Sequence, residues 1–296
     1  MELPATEIER LIAPYVHAEV EPEDPRWTHE SVRLTAKAKR LRRMSLIKRL
    51  VGLARGQADV RRDYQEKIWP TYALAERLAP KGDSTPIVWG DRHFLAGEMA
   101  TKRVHLALLM QAIQEIGPKR VLEVGSGVGL NVLVLAARFP DIEFVGGELT
   151  KAGVDATNAV AAEGIPETMA AFSPEPIEAS GPLGNVRAVE ADASALSFAD
   201  GEFDLVFSAH ALEQMEAIRD RALSEMARVS GSHVAMIEPF ADCNADGLRR
   251  DLIVAKRYFQ GSIADLEGLG LVVEHVNRNI PAKLTMGMGF ALCRKA

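Results

Sequence analysis

From Arg120 onward, apolar residues fall in short runs separated by longer stretches in which they recur every three or four positions. The runs at 120–124 (RVLEV), 143–149 (EFVGGEL), 185–191 (NVRAVEA), 203–209 (FDLVFSA), 233–239 (HVAMIEP), 271–277 (LVVEHVN) and 289–295 (GFALCRK) predict seven strands. Helical spacing at 130–139, 151–164 and 215–229 lies between the first five. Such alternation predicts an α/β fold, a seven-stranded doubly wound and mostly parallel sheet covered by helices on both faces. The last two strands are joined only by RNIPAKLTMGM (278–288), so they should pair antiparallel. The connection 165–185 carries Pro166, Pro174, Pro176 and Pro182 and is long for such a unit, which marks it as functional or disordered.

The pattern before Arg120 is different. Residues 31–55 contain no acid and interleave Arg33, Lys37, Lys39, Arg40, Arg42, Arg43, Lys48, Arg49 and Arg55 with Leu34, Leu41, Met44, Ile47 and Leu50, the signature of a basic amphipathic helix. Residues 1–30 are rich in acids, so this helix is either a solvated face paired with that segment or, through residues 33–50, a contact for a membrane surface. A further helix is interrupted at Pro70, and the break from Pro80 to Pro86 suggests a helical N-terminal extension, or lid, over 1–85 and a ligand-binding domain over 86–296. The loop WGDRHF (89–94) leads into a long helix that should end at Gly117 and Pro118.

Composition narrows the function classes. A chain of 296 residues that is 47% hydrophobic can bury a full core. Its formal net charge of −6 argues against a surface adapted as a whole to nucleic acid, and no contact with DNA is expected. Cys243 and Cys293 are the only cysteines, with no zinc-like spacing, so no metal is expected and a reduced compartment fits. The amino terminus has no leader pattern and no apolar run is long enough to span a bilayer, which points to a cytoplasmic protein.

The chemistry concentrates at EVGSGVG (123–129), between the first strand and its helix. A dinucleotide fingerprint needs a third glycine where Leu130 stands. Gly125 and Gly127 leave the crest of the turn bare, and the helix after Gly129 directs free N–H groups at a carboxylate or phosphate. Glu148 closes the second strand 23 residues after Gly125, where an acid can accept from two ribose hydroxyls.

The E-x-G-x-G-x-G turn, with the segment EADASALSFADGEFDLVFSAHALEQM (190–215), resembles the class I S-adenosylmethionine-dependent methyltransferases over about residues 105–296. The resemblance implies the strand order 3-2-1-4-5-7-6, S-adenosylmethionine as cofactor and transfer of its methyl group to a small-molecule acceptor. Glu123, Gly125, Ser126, Gly127 and Gly129 would then hold the methionine end, Glu148 and Leu149 the ribose, Asp192 and Ala193 the adenine, and Ser208 would face the methionine part. His210 is the candidate catalytic base, or else a cap at a strand end. Glu213 and Glu238 are candidate acceptor contacts, and Trp89, His93 and Phe94 either roof the acceptor or pack the extension on the sheet. The Tyr-x-x-x-Lys pair of short-chain dehydrogenases is absent, and SAHA replaces the N/D/S-P-P-aromatic tetrapeptide of amino-methylating nucleic-acid enzymes. A lipid or membrane-associated acceptor, or a binding module without turnover, are the alternatives.

Overall fold

The computed structural model describes residues 1–50, 57–72, 74–80, 84–177 and 181–296, and the side chains of all of these except 45–50 and 75. The N-terminal part is helical but also holds a sheet that the apolar pattern does not announce. Strand β1 (Val16–Val20) pairs antiparallel with β3 (Arg92–Gly97), which forms a hairpin with β2 (Ser84–Trp89). Trp89 and Arg92 face each other across the two-residue turn Gly90–Asp91. Gly90 sits at φ +61°, the conformation wanted at the first turn position of a tight hairpin. The segment WGDRHF is therefore a hairpin tip rather than the aromatic loop expected from its composition, and the second sheet draws strands from both sides of residue 85.

The main sheet is built from β4 (Arg120–Val124), β5 (Glu143–Glu148), β6 (Val186–Glu190), β7 (Phe203–Ala209), β8 (Ser230–Glu238), β9 (Leu271–Asn277) and β11 (Gly289–Lys295), with β10 (Ala282–Lys283) between the last two. Its order is β6-β5-β4-β7-β8-β11-β9. The five strands from β6 to β8 are parallel and β11 runs antiparallel to both neighbours, the order that the resemblance implies, with the antiparallel last pair that the short connection predicts. Val121, Leu122, Leu205, Val206, Ala235 and Ile237 are sealed from solvent, as expected of parallel strands covered on both faces. Helix Ala100–Ile116 lies beneath the sheet and ends at Gly117 in the left-handed conformation.

Three details bear on the site. The short strand β10 leaves the connection between β9 and β11 to pair with β2, which ties the second sheet to the main one. The 165–185 connection contains helix Glu167–Phe172, whose Met169 and Phe172 enter the core, and its backbone is anchored by the buried Arg103 guanidinium, which donates to the carbonyls of Phe172 (2.9 Å) and Ser173 (3.2 Å). Its Glu178–Ser180 lie outside the described residues. Finally, helix Pro25–Leu50 packs Trp27, Leu34 and Ala38 inward and leaves Lys37, Lys39, Arg40 and Arg43 exposed, while Arg42 meets Asp251 at 3.3 Å on helix Gly247–Lys256. Arg55 of the basic stretch is outside the described residues.

Candidate active site

The cleft opens at the carboxyl ends of the parallel strands, where the turn after β4 bends beneath a roof contributed by the N-terminal part. Gly125 (φ +78°) and Gly127 (φ +59°) hold backbone angles that strain any other L-residue. A methyl group on Gly125 would collide with Ala211, and one on Gly127 would come within 3.1 Å of the Trp69 ring. Gly129 starts helix Leu130–Arg138, whose N-terminus points into the cleft. Ser126 and Leu149 line it as well.

Glu123 and Glu148 are both buried at this turn. Glu123 accepts from Asn131 Nδ2 at Oε1 (2.6 Å), while its Oε2 is buried without a partner. Burial pushes its carboxyl up to about 7, against the opposing pull of the Asn131 bond and of the Lys102 charge. Glu148 is bracketed by the N–H groups of Gly127 (3.0 Å) and Thr150 (3.1 Å), the Thr150 hydroxyl (2.7 Å) and, more loosely, the Trp69 indole (3.4 Å). Further along, Asp192 accepts from the Ser194 N–H (2.9 Å) and hydroxyl (2.7 Å) and from Gln57 Nε2 (2.9 Å), with Ala193 on the cleft wall.

The roof is the segment from Gln57 to Tyr72, two short helical pieces and a turn broken at Pro70. Arg61 reaches Glu190 (3.0 Å), Gln65 accepts from the Ala152 N–H (3.0 Å), and Tyr64, Trp69 and Tyr72 form an aromatic row with ring centroids 5.0 and 5.3 Å apart. The aromatic trio expected from the sequence lies elsewhere. Trp89 bonds Asn279 (2.7 Å), His93 packs edge-on against Trp27 (4.7 Å) and Phe94 lies under the Arg92 guanidinium (4.9 Å); none of them lines the cleft. The aromatics that do line the cleft, Tyr64, Trp69 and Tyr72, carried a signal in DYQEKIWPTY, where they recur around the interrupting proline.

At the other end, β7 gives way to His210, whose φ of +60° is rare for a non-glycine residue and clusters at functional positions. Its ring stacks at a tilt on His105 (centroids 5.0 Å apart), its Nδ1 lies 3.7 Å from Glu213 Oε2, and its Nε2 has no partner. Burial holds the imidazoles of both histidines well below their usual range. Glu238 is sealed and accepts from the N–H groups of Ala211 (3.1 Å), Leu212 (3.1 Å) and Glu213 (3.2 Å); it brackets the turn that carries Glu213 and does not line the cleft. Burial pushes its carboxyl up to about 8. Ser208 is likewise sealed behind the wall, while Lys102, which the sequence did not single out, lines the cleft beside His210. Among the described residues, no cluster of three His, Cys, Asp or Glu side chains is arranged to hold a metal ion.

Comparison with known proteins decides the family. Residues 122–234 match the model of a methyltransferase domain. The chain is also 34% identical over 206 residues to a demethylmenaquinone methyltransferase of Thermus thermophilus, covering 69% of this chain and 74% of the relative. The chain belongs to the S-adenosylmethionine-dependent methyltransferases. Among solved structures, magnesium protoporphyrin IX methyltransferase of Synechocystis PCC 6803 with bound S-adenosylhomocysteine shares the fold at 11% identity (TM-score 0.55, 81% of this chain and 100% of that one). So does the cyclase SpnF, at 17% identity (TM-score 0.57, 82% and 97%). A cyclase on the same frame shows that acceptor and reaction must be argued from the site. The methyltransferase's own residues fit its cofactor: the unpartnered Glu123 Oε2 can accept from an ammonium, and the bare glycine turn before a helix N-terminus admits a carboxylate.

Proposed function

We propose that this methyltransferase acts on a small-molecule acceptor enclosed beneath the Gln57–Tyr72 roof. The observation that carries the reading is the roof itself: Gln57, Arg61, Gln65 and Trp69 each bond the rim, closing over a cleft that runs from the glycine turn to His210 and Lys102. The identity to a demethylmenaquinone methyltransferase supports the same class of acceptor.

When bound, S-adenosylmethionine supplies a methyl group already activated by positive sulfur. In this reading Glu123 holds its ammonium, the Gly125–Gly129 turn its carboxylate, Glu148 and Leu149 the ribose, and Asp192 and Ala193 the adenine. Ser208 supports the strand end from behind. His210 faces the acceptor. Alignment and exclusion of water supply much of the acceleration in an in-line displacement, and the roof contributes both. A variant of this reading, in which the acceptor is delivered from a membrane, is favoured by the exposed Lys37, Lys39, Arg40 and Arg43. Co-sedimentation with anionic liposomes at low salt, lost at high salt, would support it.

Incubation with methyl-labelled cofactor and fractionated extract, followed by mass spectrometry, tests the acceptor class: label confined to macromolecules would overturn it. Trp69 tests the roof. S-adenosylhomocysteine should change the protein's tryptophan fluorescence, and Trp69→Phe should abolish that response, because Trp27 and Trp89 are packed outside the cleft. A response that survives in Trp69→Phe would remove the roof from this role.

A further inference from the structure

Helix Ala100–Ile116 is buried along most of its length, yet Lys102, Arg103 and His105 sit in its first two turns. Arg103 is accounted for by the three carbonyls it bonds, those of Leu11, Phe172 and Ser173. Lys102 and His105 are not. They stand three residues apart, on one face of the helix and toward His210. Among the described residues Lys102 makes no hydrogen bond or ion pair, although it lines the cleft. Neither ring nitrogen of His105 has a partner, and neither has His210 Nε2 or Glu213 Oε2. Lys283, on β10, adds a second positive charge that acts on Lys102, His105, His210 and Glu213.

Unsatisfied buried polar groups carry a desolvation cost, and His210 Nε2 beside the unpaired Lys102 ammonium on the cleft wall, backed by the unpartnered His105 and Glu213 packed against His210, describe the outline of a missing partner. Its chemistry can be narrowed. Two lysines repel a cationic amine. A phosphate would call for guanidinium forks or a nest of N–H groups, which this end of the cleft lacks among its described residues. A weakly acidic hydroxyl fits, since it arrives neutral and gains from ionising beside an ammonium. We propose that this cluster is the acceptor subsite for an acidic hydroxyl of phenol or enol type, with Lys102 as counter-ion to its oxygen and His210 Nε2 as the group that takes its proton. The hydroxyl proton moves to the neutral His210 imidazole, whose positive charge burial and the two lysines oppose in the free protein and the adjacent oxyanion offsets, and the negative charge stays on oxygen against Lys102. Desolvation and Lys283 both oppose the Lys102 charge in the free protein, so an anion placed there relieves a strain already present.

This inference rests on the small-molecule reading, and its test is separate. With the protein saturated with S-adenosylhomocysteine, 4-nitrophenol should bind at least about tenfold more tightly than 4-nitroanisole, the effect of one hydrogen bond to a charged group. The bound phenol should show phenolate absorbance at a pH where it is protonated in water. Lys102→Met should lose both effects while still binding S-adenosylhomocysteine, and Lys102→Arg should keep the phenolate band. Equal affinity of the wild-type protein for the two probes, or a phenolate band surviving in Lys102→Met, would overturn the subsite. The comparison of the two probes on wild-type protein decides even if Lys102→Met does not fold. Label found only in macromolecules would instead sink the small-molecule reading, whatever the nitrophenol does.

Discussion

Replacing Glu123 by glutamine tests whether the buried carboxylate holds the cofactor's ammonium. In the free protein, burial places its pKa at about 7, with Asn131 already committed to Oε1 and Oε2 left open. An ammonium at Oε2 favours the ionised form, so binding must draw the carboxyl into that form and affinity must rise with pH through 7. About a tenth of the molecules are ionised at pH 6 and about three quarters at pH 7.5, which makes S-adenosylhomocysteine bind roughly eightfold more tightly at the higher pH, about 1.3 kcal/mol. Four neighbouring groups could confuse the slope. Lys102 and Glu148 act on Glu123 through space, and the His105 and His210 imidazoles, held well below 6.5, contribute little above pH 6. Glu123→Gln keeps an acceptor for Asn131 but cannot ionise. Its affinity should be flat across the same range and weaker at pH 7.5 by ~1–3 kcal/mol, the range for hydrogen bonds to charged groups. Calorimetry at three pH values decides. A flat wild-type profile, or a slope retained in Glu123→Gln, would show that the ammonium is held elsewhere.

Glu148→Ala should weaken S-adenosylhomocysteine binding by ~1–3 kcal/mol with little change in turnover at saturating cofactor, and an unchanged dissociation constant would mean another group holds the ribose. Glu238 makes a prediction about stability. Its folded-state pKa of about 8 lies above the usual carboxyl value of 4.5, so its stabilising contribution is present below 4.5 and lost as pH rises through 8. The wild-type protein should therefore melt at a lower temperature at pH 9 than at pH 5, by an amount on the order of a few kcal/mol in stability, and Glu238→Gln should flatten that dependence. Parallel melting curves for the two proteins would refute it.

The main sheet could be read from letters because its strands are short β-rich runs set between helical stretches, and the first two end in the glycine turn and Glu148, whose spacing is local. The second sheet could not. β1 is five residues long with only half-buried positions turned inward, and its partner β3 lies more than seventy residues away, so no window of sequence contains the pair. WGDRHF misled for a related reason: aromatic residues beside Gly90 read equally as a loop over a ligand or as a hairpin tip, and only the pairing of β2 with both β3 and β10 separates the two. Glu238 shows the same limit, since three N–H groups from the turn after β7 converge on it only once β7 and β8 lie side by side.

Lys102 is the instructive omission, because its signal was present. ATKRVHLALLM reads as the start of a helix with apolar residues on nearly every face, and such a helix is buried on most sides. A charge within it must either be paired or await a partner. Arg103 takes the first course and Lys102, one residue earlier, the second: the same helix turn aims one cation at backbone carbonyls that pin the 165–185 connection and the other at the cleft. The two adjacent cations thus divide according to whether the protein itself supplies the acceptor, Arg103 spent on the fold and Lys102 left open to the cleft. That division extends to the carboxylates, where Glu238 is satisfied by three backbone N–H groups and serves the frame, while Glu123 keeps one oxygen unpartnered and lines the cleft.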